Sequence, residues 1–233
     1  MWSRVTAQLN WKGILLTPDL PGFGDCPAIK EEPALERMAE HVRALLDAEK
    51  IDRAIVCGFS MGGYVALALT ELHRDRIAGL GLINSQPFAD SDEVRAGRRT
   101  MIEKVRKEGA KAASDAALPK LFSPRNSKDP ELTRFAVGGA EKAGVTGITW
   151  ALEAMARRPD RMSVLEHFEG PKLIVHSTED RFIPIDKIRK LASVLTNNTY
   201  IEIPEAGHCT PLEAPEQVAN AINRLNELCG SAA

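Results

Sequence analysis

The chain has 233 residues, 30 Lys and Arg against 32 Asp and Glu, and a net charge of −2. Apolar residues make up 44% and charged residues 27%, the profile of a globular protein long enough to bury a core without disulfide or metal staples. The balanced charge offers no basic face for nucleic acid. All-apolar runs such as Val65 to Leu69 fall far short of the roughly 20 residues that span a bilayer.

Met1 to Gln8 lacks the apolar stretch of a secretory leader. Cys26, Cys57, Cys209 and Cys229 are widely spaced and form no C-x-x-C pair, so free thiols and a cytoplasmic location are expected. Gly13–Thr17 reads as the first strand. Leu35, Met38, Val42 and Leu45 then follow the steps of one helix face. Ala54–Cys57 reads as a buried strand, Tyr64–Leu69 as a buried helix, and Ile77–Ile83 as a further strand.

From Pro87 to Glu166 the strand pattern stops. Asp90-Ser91-Asp92-Glu93 resembles a helix-capping start, and Pro119, Pro124, Pro130 and Pro159 punctuate what reads as helices. The stretch carries a net +3 against −5 for the rest, a difference that a solvated basic face explains as well as a binding role. Strands return at Lys172–His176 and Thr199–Ile203. Helical stripes at Ile185, Ile188, Leu191, Ala192 and Leu195, and at Val218, Ala221, Ile222 and Leu225, complete the chain. Strands alternating with helices predict an α/β fold, a mostly parallel sheet flanked by helices. The expected division is a core of residues 1–86 and 167–233 with an inserted helical lid at 87–166.

The sharpest chemical signal is Gly58-Phe59-Ser60-Met61-Gly62-Gly63, which fits G-x-S-x-G between a strand and a helix. A serine held in so tight a turn needs small neighbours, and Gly58 and Gly62 are expected to meet that need. The following helix N-terminus directs N–H groups at developing negative charge. A phosphate loop is excluded, because Tyr64 and Val65 stand where Lys and Ser or Thr would be required.

Serine needs a base. His41 and His73 lie on or at the ends of predicted helices, His167 at the insertion boundary, and His176 within a strand, where a satisfied core residue is expected. His208 follows the last strand, where parallel sheets collect functional groups. Glu179 and Asp180 both follow the strand ending at His176, and either has the chemistry to orient a histidine.

The pieces Thr17-Pro18-Asp19-Leu20-Pro21-Gly22-Phe23-Gly24, Gly58 to Gly63, Glu179 to Pro184 and Ala206 to Pro215 together resemble the α/β-hydrolase superfamily. The lid segment Ala154 to Asp160 looks like the branch of small esterases and 3-oxoadipate enol-lactonase-like enzymes. The resemblance implies Ser60 as nucleophile, His208 as general base and then acid, and the Met61 backbone N–H as an oxyanion donor. It selects Asp180 as orienting acid, since Pro184 completes D-x-x-x-P. Some members carry the acid one strand earlier, but Ile83-Asn84-Ser85-Gln86 holds no carboxylate.

The implied function is a serine hydrolase cleaving a small carboxylic ester or lactone through an acyl-enzyme. It would use no metal or organic cofactor and have no nucleic-acid or membrane partner. Two alternatives stand beside it: a non-catalytic, ligand-binding relic, and a C–C bond hydrolase or haloperoxidase-like member. Trp150, Met155, Phe122 and Phe135 are candidate pocket residues, though each is as readily plain packing. Family members carry about three strands before the Pro18-Asp19-Leu20-Pro21 segment, with a His-Gly loop that holds the second oxyanion donor. The expectation is therefore that the family's N-terminal strands are absent and the reading frame truncated, leaving a gap in the sheet. Poor activity and solubility of the 233-residue chain would follow.

Overall fold

The computed structural model describes residues 1–230. In chain order it holds α1 (Ser3–Thr6), α2 (Leu35–Ala48), β1 (Ala54–Phe59), α3 (Met61–Leu72), a 3-10 turn (Arg74–Arg76) and β2 (Ile77–Ile83). Four helices follow: α4 (Asp92–Glu108), α5 (Lys111–Leu121), α6 (Pro130–Arg157) and α7 (Met162–His167). The chain closes with β3 (Lys172–Ser177), α8 (Ile185–Val194), β4 (Asn198–Ile203), α9 (Thr210–Glu213) and α10 (Pro215–Gly230).

The strands lie in the order β1-β2-β3-β4, each neighbouring pair parallel. Val56 stands opposite Leu80, Leu82 opposite Ile174, and Val175 opposite Ile201. Parallel neighbours require crossover connections, and the helices supply them. Because successive side chains point to opposite faces, each strand feeds two cores. Leu80, Leu82 and Ile174 pack with Met38 of α2, Leu67 of α3 and Ile188 of α8. Ile83, Leu173, Val175 and Ile203 pack with Val5 of α1 and Val218 and Leu225 of α10.

Gly13–Thr17 departs from its predicted strand and is irregular chain. Ile14 and Leu15 are 57% and 48% exposed. A strand forms by pairing, and among the described residues this segment pairs with no strand. β1 pairs with β2 alone and so forms an edge. An apolar cavity of about 920 Å³ lies along that edge, walled in part by Trp2, Trp11, Leu15, Leu46 and Ile55, and it reaches Ser60.

Between β2 and β3 the chain is helical, with no strand among the described residues. Ser91 caps α4 by accepting from the Val94 N–H, and Asp129 caps α6 ahead of Pro130. Gly144, at φ 64°, breaks α6 into two helical pieces. The two ends of this segment are tied together. Asp90 at its start pairs with Arg158 near its end at 2.7 Å and with Arg98, and the Arg161 N–H donates to the Pro87 carbonyl at 2.8 Å. The buried Arg161 side chain reaches Glu71 of α3 at 2.9 Å and Glu36 of α2. No described helix is long and apolar enough to cross a membrane.

Candidate active site

Ser60 sits between β1 and α3 in a left-handed backbone conformation, φ 49° and ψ −116°. Its N–H donates to the Ile83 carbonyl of β2 at 3.0 Å, its own carbonyl accepts from Gly63 N–H at 3.0 Å, and Ser85 Oγ donates to that same carbonyl at 2.8 Å. A non-glycine residue held at positive φ stores strain, and these contacts over-determine the turn. The glycine requirement differs from the sequence expectation. A Cβ on Gly58 would lie 2.2 Å from the Gly62 carbonyl oxygen, and one on Gly63 would lie 2.3 Å from Ser85 Oγ, whereas one on Gly62 would meet nothing within 4 Å. Gly58 and Gly63 are therefore the crowded pair. The Gly62 carbonyl is what crowds Gly58, while its own Cα faces open space.

The structure brings Ser60, His208 and Asp180 together. His208 Nε2 lies 2.8 Å from Ser60 Oγ, and His208 Nδ1 lies 2.8 Å from Asp180 Oδ2. Phe59 and Phe182 flank the imidazole with ring centroids 5.1 and 4.9 Å away. Asp180 follows β3 and is buried, while Glu179 is half-buried and uses its backbone N–H on the Ala206 carbonyl. Asp180 Oδ1 accepts from the N–H groups of Phe182 and Ile183 at 2.8 and 3.0 Å, and Oδ2 accepts from Asn84 Nδ2 at 2.9 Å.

Burial alone would raise the Asp180 pKa. The hydrogen bond and charge of His208, the Asn84 bond and the charge of His176 outweigh it and hold the group at about 2. The folded pKa lies below the ordinary 3.8, so the stabilisation is complete above that value and is lost as pH falls toward about 2. The shift corresponds to about 2 kcal/mol. Urea unfolding of the native protein should therefore lose stability between about pH 4 and pH 2. Asp180→Asn should show a shallower fall across the same range, and equal slopes in the two proteins would refute the assignment.

The remaining histidines lie apart from Ser60. His41 is exposed and stands 3.6 Å from Cys26 Sγ, His73 pairs with Glu40 at 2.6 Å, and His167 is exposed. His176 is buried, its Nε2 donating to the Ile183 carbonyl at 2.9 Å, but its Nδ1 has no partner, so it is only half satisfied. Burial lowers its pKa, against the opposing pull of Asp180. All four cysteines are free thiols, and burial pushes Cys57 up to about 12. Among the described residues no group of three His, Cys, Asp or Glu is arranged to hold a metal ion.

The helical segment meets the site at the C-terminal ends of the strands. Cys209 N–H donates to the Leu121 carbonyl at 3.2 Å, and Arg181 donates to the Pro119 carbonyl at 3.2 Å. Glu213 joins both sides: one carboxylate oxygen accepts from Gly207 N–H at 3.0 Å and the other from Ser123 N–H at 2.8 Å. A Cβ on Gly207 would lie 2.4 Å from the Ser123 nitrogen, so this approach needs glycine. Of the candidate pocket aromatics, Phe122 is core and Trp150 is buried, with its indole N–H on the Glu31 carbonyl at 3.0 Å. Phe135 is exposed, and Met155 packs at the core margin. Sequence reasoning missed Asn84, Ser177, Thr210 and Glu213, whose roles come from contacts between loops far apart in the chain.

Known proteins share this architecture. The chain is 34% identical over 212 residues to the dihydrolipoyllysine-residue acetyltransferase component of the acetoin cleaving system of Pseudomonas putida, covering 86% of this chain. The match spans about half of that relative's length, 52%. A thermophilic esterase from Thermogutta terrifontis superposes with a TM-score of 0.86 at 31% identity, covering 91% of this chain and 79% of the other. The enol-lactonase from Burkholderia xenovorans LB400 superposes at 0.80 and 28% identity, covering 90% and 79%. Residues 1–221 match the model of the Alpha/beta hydrolase family, and the chain belongs to that family.

Proposed function

We propose that this protein is a serine hydrolase that cleaves a small carboxylic ester or lactone through an acyl-enzyme. The observation that carries the reading is the unbroken chain Ser60 Oγ, His208, Asp180, joined by two 2.8 Å contacts at the C-terminal ends of the strands. The esterase and the enol-lactonase among the structural neighbours support the substrate class.

Ser60 Oγ attacks the carbonyl carbon while His208 Nε2 takes its proton. Asp180 holds His208 Nδ1–H and stabilises the imidazolium without itself taking the proton. The carbonyl oxygen, now negative, meets the Met61 N–H at the first turn of α3, where a helix leaves N–H groups without internal partners. On collapse the bond to the leaving oxygen breaks, and His208 returns the proton to it. Water then enters, gives its proton to His208 and attacks the acyl carbon. The second collapse breaks the Ser60 Oγ bond, returns the proton to Ser60 and frees the acid. The nucleophile, the base, the orienting acid and one oxyanion donor belong to the chain, and the second reactant is water. In this reading α4–α7 form a lid whose inner surface sets the acyl and alcohol preference, with small-molecule substrates and action in the cytoplasm.

The test is to trap the intermediate. With a p-nitrophenyl ester, the first turnover should release p-nitrophenol in a burst stoichiometric with enzyme, and a quenched sample should carry the acyl mass on the peptide containing Ser60. Steady turnover with no acylated Ser60 peptide would refute the mechanism.

A further inference from the structure

Asn84 follows β2 and is completely buried, in a left-handed conformation with φ 43°. Its backbone N–H extends the ladder to the Val175 carbonyl at 2.9 Å. Both amide hydrogens and the amide oxygen of its side chain are engaged. Nδ2 donates to Asp180 Oδ2 at 2.9 Å and to Ser177 Oγ at 2.7 Å, and Oδ1 accepts from Thr210 Oγ1. Ser177 Oγ in turn donates to the Gly207 carbonyl. Thr210 and Gly207 bracket His208, and Ser177 closes β3 just before Asp180. One amide thus ties together the loop carrying the acid and the loop carrying the imidazole. The charge of Asp180 sets the orientation of that amide, since the opposite setting would turn a carbonyl oxygen toward the carboxylate.

We propose that Asn84 is a positioning residue for the Ser60 reaction: its amide N–H fixes Asp180 Oδ2 against His208 Nδ1, with Thr210 and Ser177 holding the amide in place. The inference rests on the reading of Ser60, His208 and Asp180 as the reacting set. A carboxylate left to rotate shares its oxygens among several donors. Here two backbone N–H groups take Oδ1, and the amide of Asn84 takes one side of Oδ2, leaving the other side for the imidazole. The ionisable groups facing this point are His208 from the loop after β4, His176 from β3 with its Nε2 3.7 Å from Asp180, and Cys209 beside His208. Glu202 of β4 acts on His176 from further off.

Two variants of the full chain test it. Asn84→Gly removes the amide yet tolerates the positive φ. It should lower kcat about 10- to 100-fold, the usual effect of losing a group that orients a catalytic ligand, with KM within about twofold. The downfield proton NMR signal of His208 Nδ1–H should shift or broaden.

Asn84→Asp keeps size and backbone but sets a second carboxyl group beside Asp180. The two would share one proton, and while it is held the new residue can still donate to Asp180 Oδ2. Its kcat/KM should therefore fall on the alkaline side, where the wild type is level, giving a bell-shaped profile. A kcat for Asn84→Gly within twofold of wild type, or a profile for Asn84→Asp of unchanged shape, overturns the proposal. Asp180→Asn is measured alongside. If it is inactive while Asn84→Gly is not, the Asn84 proposal alone fails. If it keeps the wild-type rate, the reading of the site fails with it.

Discussion

Ser60→Ala should lower kcat on short p-nitrophenyl esters by about 10⁴-fold or more, the effect of removing a nucleophile from a three-residue relay of this kind. That factor corresponds to about 5 kcal/mol of lost transition-state stabilisation. Labelling by a fluorophosphonate should vanish with it. The residual rate would report what the Met61 N–H and substrate binding contribute without a nucleophile. The fold should survive, because the turn is held by the Ser60 backbone groups and by Gly58, Gly63 and Ser85, none of which the substitution removes. Serine and alanine carry the same Cβ at φ 49°, so the backbone strain is unchanged and the melting temperature should stay near that of the wild type. Undiminished turnover in Ser60→Ala would refute the nucleophile assignment outright.

Asp90→Ala should cost about 3–5 kcal/mol of stability, the typical consequence of breaking a buried ion pair from one side. Asp90 lies among two guanidinium groups: Arg98 Nε, and Arg158 Nη2 at 2.7 Å. Burial raises its pKa, but the bonds and charges of Arg98 and Arg158 outweigh that and hold it below the usual carboxylate value. Arg158 is 97% buried by side chain or more, stacked 4.0 Å above the Tyr64 ring, and donates to the Met155 carbonyl, while its Nε has no partner. Without Asp90 it loses its salt-bridge partner. For a protein of this length the loss should lower the melting temperature by about 6–20 °C. Replacing Asp90 by Leu and Arg158 by Met together should cost less, because the more deeply buried charge, Arg158, goes with its partner and only Arg98, 19% exposed, loses one. A midpoint for Asp90→Ala within 1–2 °C of wild type would remove the ion pair from any account of stability.

How much of this was legible in the sequence follows from where the information lies. β1 to β4 carry their own signal, apolar runs bounded by turns, and the parallel sheet follows from their alternation with helices. Gly13–Thr17 has the same composition and does not form a strand, because pairing is supplied by a neighbour and not by the segment itself. The serine turn was readable because its geometry confines small residues to fixed offsets. Which glycines are crowded was not, since Gly63 is constrained by Ser85, a residue on another strand's loop. His208 and the pair Glu179 and Asp180 could be placed at strand ends by counting elements, and the choice of Asp180 came from the family resemblance. Asn84 could not be assigned a role, because its meaning lies in Asp180, 96 residues away, and Thr210, 126 residues away. Glu213 is hidden in the same way by its bond to Ser123.

The clasp at Pro87, Asp90, Arg158 and Arg161 has a bearing on how such proteins diverge. It holds the entry and exit of the helical segment side by side, whatever lies between them. The entropy of closing a loop grows only slowly with its length, about 0.6 kcal/mol per doubling. The interior can thus be lengthened, shortened or exchanged at small entropic cost, provided the stretch around Pro119 to Ser123 that meets Arg181, Gly207, Cys209 and Glu213 is kept. On the proposed reading of α4–α7 as the part that sets substrate preference, substrate choice and bond-breaking chemistry then vary as separate traits. On that same reading, a graft made at this clasp is the unit by which specificity would be transferred.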